Sequence, residues 1–150
     1  MKKRIVLNLL VIASLIIFTG CSLTNTNDKT KHNDINEVTN LVKVIINENE
    51  YEIKLEDNET AKSFISMLPQ EFNMSELNGN EKYIYLDMTL STSPYKPGHI
   101  NKGDVMLFGN NCLVIFYKSF DTSYNYTKIG HIDNLPDLGN SNITIKIQKN

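Results

Sequence analysis

The feature that most constrains the fold is a succession of short apolar runs between Leu41 and Gln148, cut by turn residues and interrupted by one helical stretch. "YEIKLE" (Tyr51–Glu56) alternates strictly, with Tyr51, Ile53 and Leu55 on one face and Glu52, Lys54 and Glu56 on the other. "ITIKIQ" (Ile143–Gln148) does the same. A period of two is the mark of a half-buried strand. "LVKVIIN", "EFNM", "KYIYL", "DVMLFG", "CLVIFYK" and "YTKIGHI" supply six more runs of strand length. Asn-rich turns join "LVKVIIN" to "YEIKLE" and "DVMLFG" to "CLVIFYK" as hairpins, Gly109 and Asn110 tolerating positive φ in the second. About eight short strands in roughly 110 residues leave few places for helical crossovers. That favours a closed antiparallel barrel over a doubly wound sheet.

One stretch reads as a helix. In "DNETAKSFISMLP", Asn58 or Asp57 caps the start, and Ala61, Phe64, Ile65 and Leu68 form a stripe at helical spacing. Pro69 stops it. A single apolar stripe must lie on something, and the sheet is the available surface. "DNLPDLG" (Asp133–Gly139) is expected to add a short helical turn ended by its glycine. The segment Asp87–Gly103, punctuated by Pro94, Pro97 and Gly98, is expected to be a long loop.

The N-terminus reads as an address. Lys2, Lys3 and Arg4 precede an apolar stretch, Ile5–Phe18, that is short for a membrane span and suited to a signal peptide. "FTGC" places small residues directly before Cys21 and resembles the bacterial lipobox, with Phe18 where Leu is commonest. That resemblance implies removal of residues 1–20, acylation of Cys21 with diacylglycerol and palmitate-type chains, and a lipid-anchored extracytoplasmic protein. More than one acyl chain gives stable anchoring, at about 0.8 kcal/mol per buried CH₂. Residues 21–40 then form the lipidated cysteine and a polar tether, rich in Asn, Thr and Asp, with a reach of roughly 25 Å. Residues 41–150 form the domain.

Charge narrows the partners. From Cys21 onward there are 12 Lys against 17 Asp and Glu, a net charge of −5, and no Arg, since Arg4 is the only one. An acidic domain without a basic block is not built for nucleic acid, where affinity rests on phosphate neutralisation. The expected partners are the bilayer, through Cys21, and a peptide or small extracytoplasmic ligand. Cys112, inside an apolar run, reads as a small buried hydrophobe. His99 and His131 lack metal-ligand spacing and read as surface or barrel-rim residues. No phosphate-binding glycine loop, G-x-S-x-G or H-E-x-x-H occurs, so no cofactor or metal is expected.

"LEDNETAKSFISMLP", "LNGNEKYIYL" and "GDVMLFGNNCLVIFYKSFDTSYNYTKIGHI" together resemble the bacterial cyclophilin-like fold proteins. The resemblance spans about Leu41 to Ile147 and implies a mainly β fold: a closed antiparallel cyclophilin-like β-barrel of about eight strands with one or two short helices. It does not carry enzyme activity with it. Cyclophilins isomerise X–Pro bonds by setting an Arg guanidinium against the prolyl amide, weakening the resonance behind a barrier of roughly 18–20 kcal/mol. The mature chain has no Arg, and Lys118 or Lys128 lacks the planar fork of donors.

The remaining signal is aromatic. Five of the 13 Phe and Tyr residues fall between Phe116 and Tyr126. Alternation in "CLVIFYK" puts Cys112, Val114 and Phe116 on one face and Leu113, Ile115 and Tyr117 on the other. The expectation is Phe116 inside the barrel and Tyr117 outside or beneath the helix. Ile129 is expected inside, with Tyr126 and Lys128 outside. Phe120 and Tyr124 lie in a connecting loop, and Tyr83 and Tyr85 share a strand face. Tyr83, Tyr85, Tyr117, Phe120, Tyr124 and Tyr126 are therefore the candidate ligand-binding set, because tyrosine offers apolar area with a hydrogen-bonding tip. The competing reading is that they pack loops onto the barrel. Glu81 and Asp104 are a further candidate pair of carboxylates.

The reading that follows is a membrane-tethered lipoprotein whose domain binds a peptide or small ligand without catalysis. The alternative is a divergent prolyl isomerase assisting exported proteins, which rests on fold resemblance alone.

Overall fold

The computed structural model describes residues 40–150. The expected signal peptide, Cys21 and the expected tether up to residue 39 lie outside the described residues. In chain order the elements are β1 (Leu41–Ile46), β2 (Asn49–Leu55), α1 (Glu59–Ser66), β3 (Gln70–Leu77), β4 (Glu81–Tyr85), β5 (His99–Ile100), β6 (Asp104–Phe108), β7 (Cys112–Phe116), β8 (Phe120–Asp121), β9 (Thr127–Ile132) and β10 (Ile143–Lys149). Eight strands close a barrel in the order β1-β10-β3-β4-β7-β6-β9-β2, and every pairing is antiparallel. These are the eight runs that alternation identifies. Closure leaves no barrel strand with an open edge.

The helix forms as its sequence dictates. Asn58 is the N-cap, and its Oδ1 accepts from the Ala61 amide at 2.8 Å. Thr60, Ala61 and Phe64 are buried, and α1 packs against β9. Among the described residues it is the one helix, because "DNLPDLG" is not helical. Asn134 takes a positive φ of 55°, and Leu135 and Leu138 are buried in the barrel core. Pro136 between them has no amide to give a helix, so burial of the two leucines prevails over local helix formation.

The barrel interior is filled by Val42, Val44, Ile53, Phe64, Met74, Val105, Leu107, Leu113, Ile115, Ile129, Ile145 and their neighbours. A second cluster lies apart from it: Ile100, Met106, Cys112, Val114, Phe116 and Tyr126, with Tyr83 and Phe120 against them. Strand alternation makes Tyr83, Cys112, Val114, Phe116 and Met106 outward residues of β4, β7 and β6, covered in part by Ile100 and Phe120 of the two-stranded sheet β5–β8 and by Tyr126. A register shift between Val105 and Met106 gives β9 one extra residue, Ile129, whose side chain is buried in the core.

This arrangement inverts one expectation. Alternation in β7 is as read, but the faces are exchanged. Phe116 is outward, in the second cluster, and Tyr117 is inward, 0% exposed in the barrel core. The Tyr117 hydroxyl donates to Glu76 Oε1 at 3.2 Å, so a buried phenol keeps a partner there. Lys82, also inward and fully buried, donates through Nζ to the carbonyls of Gly139 (2.6 Å) and Ser141 (2.8 Å). Its ammonium also stands 4.8 Å from the Tyr117 ring centroid. Burial lowers the Lys82 pKa, against the pull of Glu76 and Asp137.

Candidate functional site

The outward face of β4 sets Glu81, Tyr83 and Tyr85 in a row, since alternate residues of a strand share a face. Register then sets Glu81 opposite Phe116, Tyr83 opposite Val114 and Tyr85 opposite Cys112 on β7. Phe108 of β6 lies opposite Cys112 on the other side. Tyr124 and Tyr126 arrive from the connection between β8 and β9. Tyr126 is held by an isolated bridge to Tyr95 of the long loop, with N–H donations of 2.9 and 3.0 Å in the two directions. The Thr122 amide donates to Gly98 O at 2.9 Å and ties the same loop to the start of that connection.

These side chains enclose an open cavity of about 310 Å³, lined by Leu77, Asn78, Glu81, Tyr83, Tyr85, Phe108, Cys112, Val114, Tyr124 and Tyr126. A smaller lobe of about 190 Å³ shares Asn78, Glu81, Tyr124 and Tyr126 with it and adds Asn80, Phe120 and Asp121. The larger one is at the lower end of the size range of small-molecule sites. The rings form a chain of alternating edge-to-face and tilted contacts. Tyr124 meets Phe108 at 6.0 Å and 87°, Phe108 meets Tyr126 at 5.6 Å, Tyr126 meets Phe116 at 5.5 Å and 87°, and Phe116 meets Phe120 at 5.5 Å. Tyr83 and Tyr85 form a separate edge-to-face pair at 6.0 Å and 84°. Such pairs add about 0.5–1.5 kcal/mol each beyond the area they bury.

Of the six candidate aromatics, the fold brings Tyr83, Tyr85, Tyr124 and Tyr126 to the main cavity and Phe120 to its smaller lobe. Tyr117 is not there, being on the inner face of β7. Tyr85 and Tyr124 are each 63% exposed, and Phe108 is 43% exposed. Sequence reading missed Phe108. Its signal was parity: it shares the outward face with Met106, two residues back.

Glu81 and Asp104 do not act as a pair. The Asp104 carboxylate accepts from the Asn101 amide at 2.8 Å and meets His131 Nδ1 at 3.1 Å, with Lys128 Nζ at 3.9 Å. Glu81 instead lines the tyrosine cavity at 9% exposure. Burial raises its pKa, helped by the charge of Glu76. Burial and the Glu81 charge push the Cys112 thiol up to about 11, so it is a protonated wall of the cavity and not a nucleophile. Tyr126 is raised by burial and then by Glu81.

Comparison with known proteins agrees with the barrel. The model of the cyclophilin-like family matches residues 44–148. The chain belongs to the cyclophilin-like family. Among solved structures it is similar to the solution structure of a hypothetical protein from Archaeoglobus fulgidus, at 16% identity and a TM-score of 0.53. That match covers 73% of this chain and 94% of the other. At such identity the likeness speaks for the fold alone. No curated protein matches the sequence.

Proposed function

We propose that this member of the cyclophilin-like family is an extracytoplasmic lipoprotein whose barrel binds a peptide or other small ligand in the tyrosine cavity, without transforming it. Acylated Cys21 holds it on the membrane, and residues 22–40 hold the domain clear of the surface. The lipobox-like "FTGC" supports the anchor. The observation that carries the binding reading is the placement of the rings. Tyr85 and Tyr124 are 63% exposed at the mouth of a cavity, so the core does not require them. Rings left in water around a concavity with convergent polar groups are the usual build of a ligand site.

The test is ligand-observed saturation-transfer NMR on the full chain in a neutral detergent, with a pool of X–Pro peptides and small polar molecules. Saturation should pass to at least one ligand and fall in Tyr85→Ala and Tyr124→Ala, both still folded. No transfer to any member of the pool would refute a ligand site. Exchange peaks linking cis and trans peptide would replace binding without chemistry by prolyl isomerisation.

A further inference from the structure

We propose that the tyrosine cavity takes an organic cation, an alkyl- or quaternary-ammonium group, with Glu81 as its counter-ion and the rings as its walls. This rests on the cavity being a ligand site, as proposed above, and names the class of ligand.

Glu81 points to a cation first. It is about nine-tenths buried, faces the cavity, and makes no hydrogen bond or ion pair among the described residues. Asp104, the other buried carboxylate of the outer face, shows what the fold does when it satisfies such a group: it supplies an amide, a histidine and a lysine. The Glu81 oxygens keep contact only with the open cavity, and a carboxylate largely withdrawn from water is normally paired. Asn80, which lines the smaller lobe, holds its Oδ1 closed off from solvent with no hydrogen-bond donor. The carboxylate calls for a ligand that donates or carries positive charge.

The walls point the same way. Neither lobe is lined by a Lys or Arg. The two ammonium-over-ring contacts among the described residues, from Lys82 and Lys118, both fall on Tyr117, away from the cavity. Tyr83, Tyr85, Phe108, Tyr124 and Tyr126 thus line the same cavity as the carboxylate, with π systems that no protein cation uses among the described residues. Aromatic rings about an anionic group suit an ammonium ion, and a quaternary one best. An inorganic divalent cation would want several oxygen ligands, where the two lobes together offer the carboxylates of Glu81 and Asp121 and, among the described residues, no group of three or more His, Cys, Asp or Glu is placed to hold a metal. A neutral guest would fill the space and leave Glu81 unpaired.

Isothermal titration of the full chain in neutral detergent decides it. The probes are choline and n-butylammonium, their neutral isosteres 3,3-dimethyl-1-butanol and pentane, and acetyl-lysine amide, which separates a free amine from a lysyl side chain. The cations should bind at least tenfold more tightly than the isosteres, a difference of about 1.4 kcal/mol. Glu81→Gln should abolish that preference and spare binding of the isosteres. Tyr124→Ala, a change at an exposed ring, should weaken cations in a chain that melts like wild type. Equal binding of cations and isosteres, unmoved by Glu81→Gln, would overturn the cation assignment and leave the cavity standing. Absence of binding by every probe and by the X–Pro pool would remove both.

Discussion

Replacing Glu81 by Gln should make the protein more stable. Glu81 is 9% exposed, and its carboxylate has no hydrogen-bond donor among the described residues to lose, while glutamine keeps the chain length and the packing. What changes is a charge that burial, and then Glu76, work against. Removing an uncompensated charge from a functional cavity belongs with substitutions that gain about 0.5–2 kcal/mol. At roughly 4 °C per kcal/mol for a domain of this size, the melting temperature should rise by about 2–8 °C at pH 7. The sign with pH follows from linkage. The folded pKa of Glu81 lies above the ordinary 4.5, so between those two values the native state holds a proton that the unfolded chain has lost. Wild-type stability therefore falls as pH rises through that window, and Glu81→Gln lacks this fall. Thermal unfolding followed by circular dichroism should show the two proteins alike below about pH 4.5 and separated at pH 7. A lower melting temperature for Glu81→Gln at pH 7 would show that the carboxylate has a partner in the fold, and would refute its role as an unpaired counter-ion.

Other substitutions test the two faces of β7 and its surroundings. Tyr117→Phe removes the hydroxyl that donates to Glu76 and should cost about 1–2 kcal/mol, whereas Tyr124→Ala, 63% exposed, should move the midpoint of a urea melt very little. Gly103→Ala should cost more than about 2 kcal/mol, because a Cβ there would stand 2.3 Å from Ile132 O at a φ of +96°. The same residue accepts the Ile132 amide at 2.8 Å, so hydrogen exchange at Ile132 should quicken in that variant. Cys21→Ser should shift the protein from the membrane to the soluble fraction on cell fractionation; persistent membrane association would refute lipid anchoring through this cysteine.

All eight barrel strands were legible because each carries its own period or turn signal. What alternation could not decide was which parity of β7 points inward. Every residue from Cys112 to Phe116 is buried, so neither face carries the polar residues that mark solvent. The cover on the outer face comes from Ile100 and Phe120, in strands of two residues with no period to read. Tyr117 was expected outside or beneath the helix because parity with an inward Phe116 puts it there, and only the position of Glu76 shows how its hydroxyl is satisfied inside. Glu81 carried little signal of its own, since a glutamate at a strand start usually faces water. Its importance comes from what register sets around it: Phe116 across on β7, and Tyr83 and Tyr85 along β4. In "DNLPDLG" the two leucines were read as helix residues, while the barrel end they fill belongs to strands far away in sequence.

The claim at the centre of this account is that the cavity on the outer face of β4 and β7 binds ligand. The most direct measurement is an amide NMR map of the full chain titrated with choline and with the X–Pro peptide pool. Saturable shifts centred on Glu81, Tyr83, Tyr85, Phe108 and Tyr124, with α1 and β10 unmoved, are the predicted result. Shifts confined to other parts of the barrel, or none at millimolar ligand, would contradict it and return the tyrosines to the packing of loops.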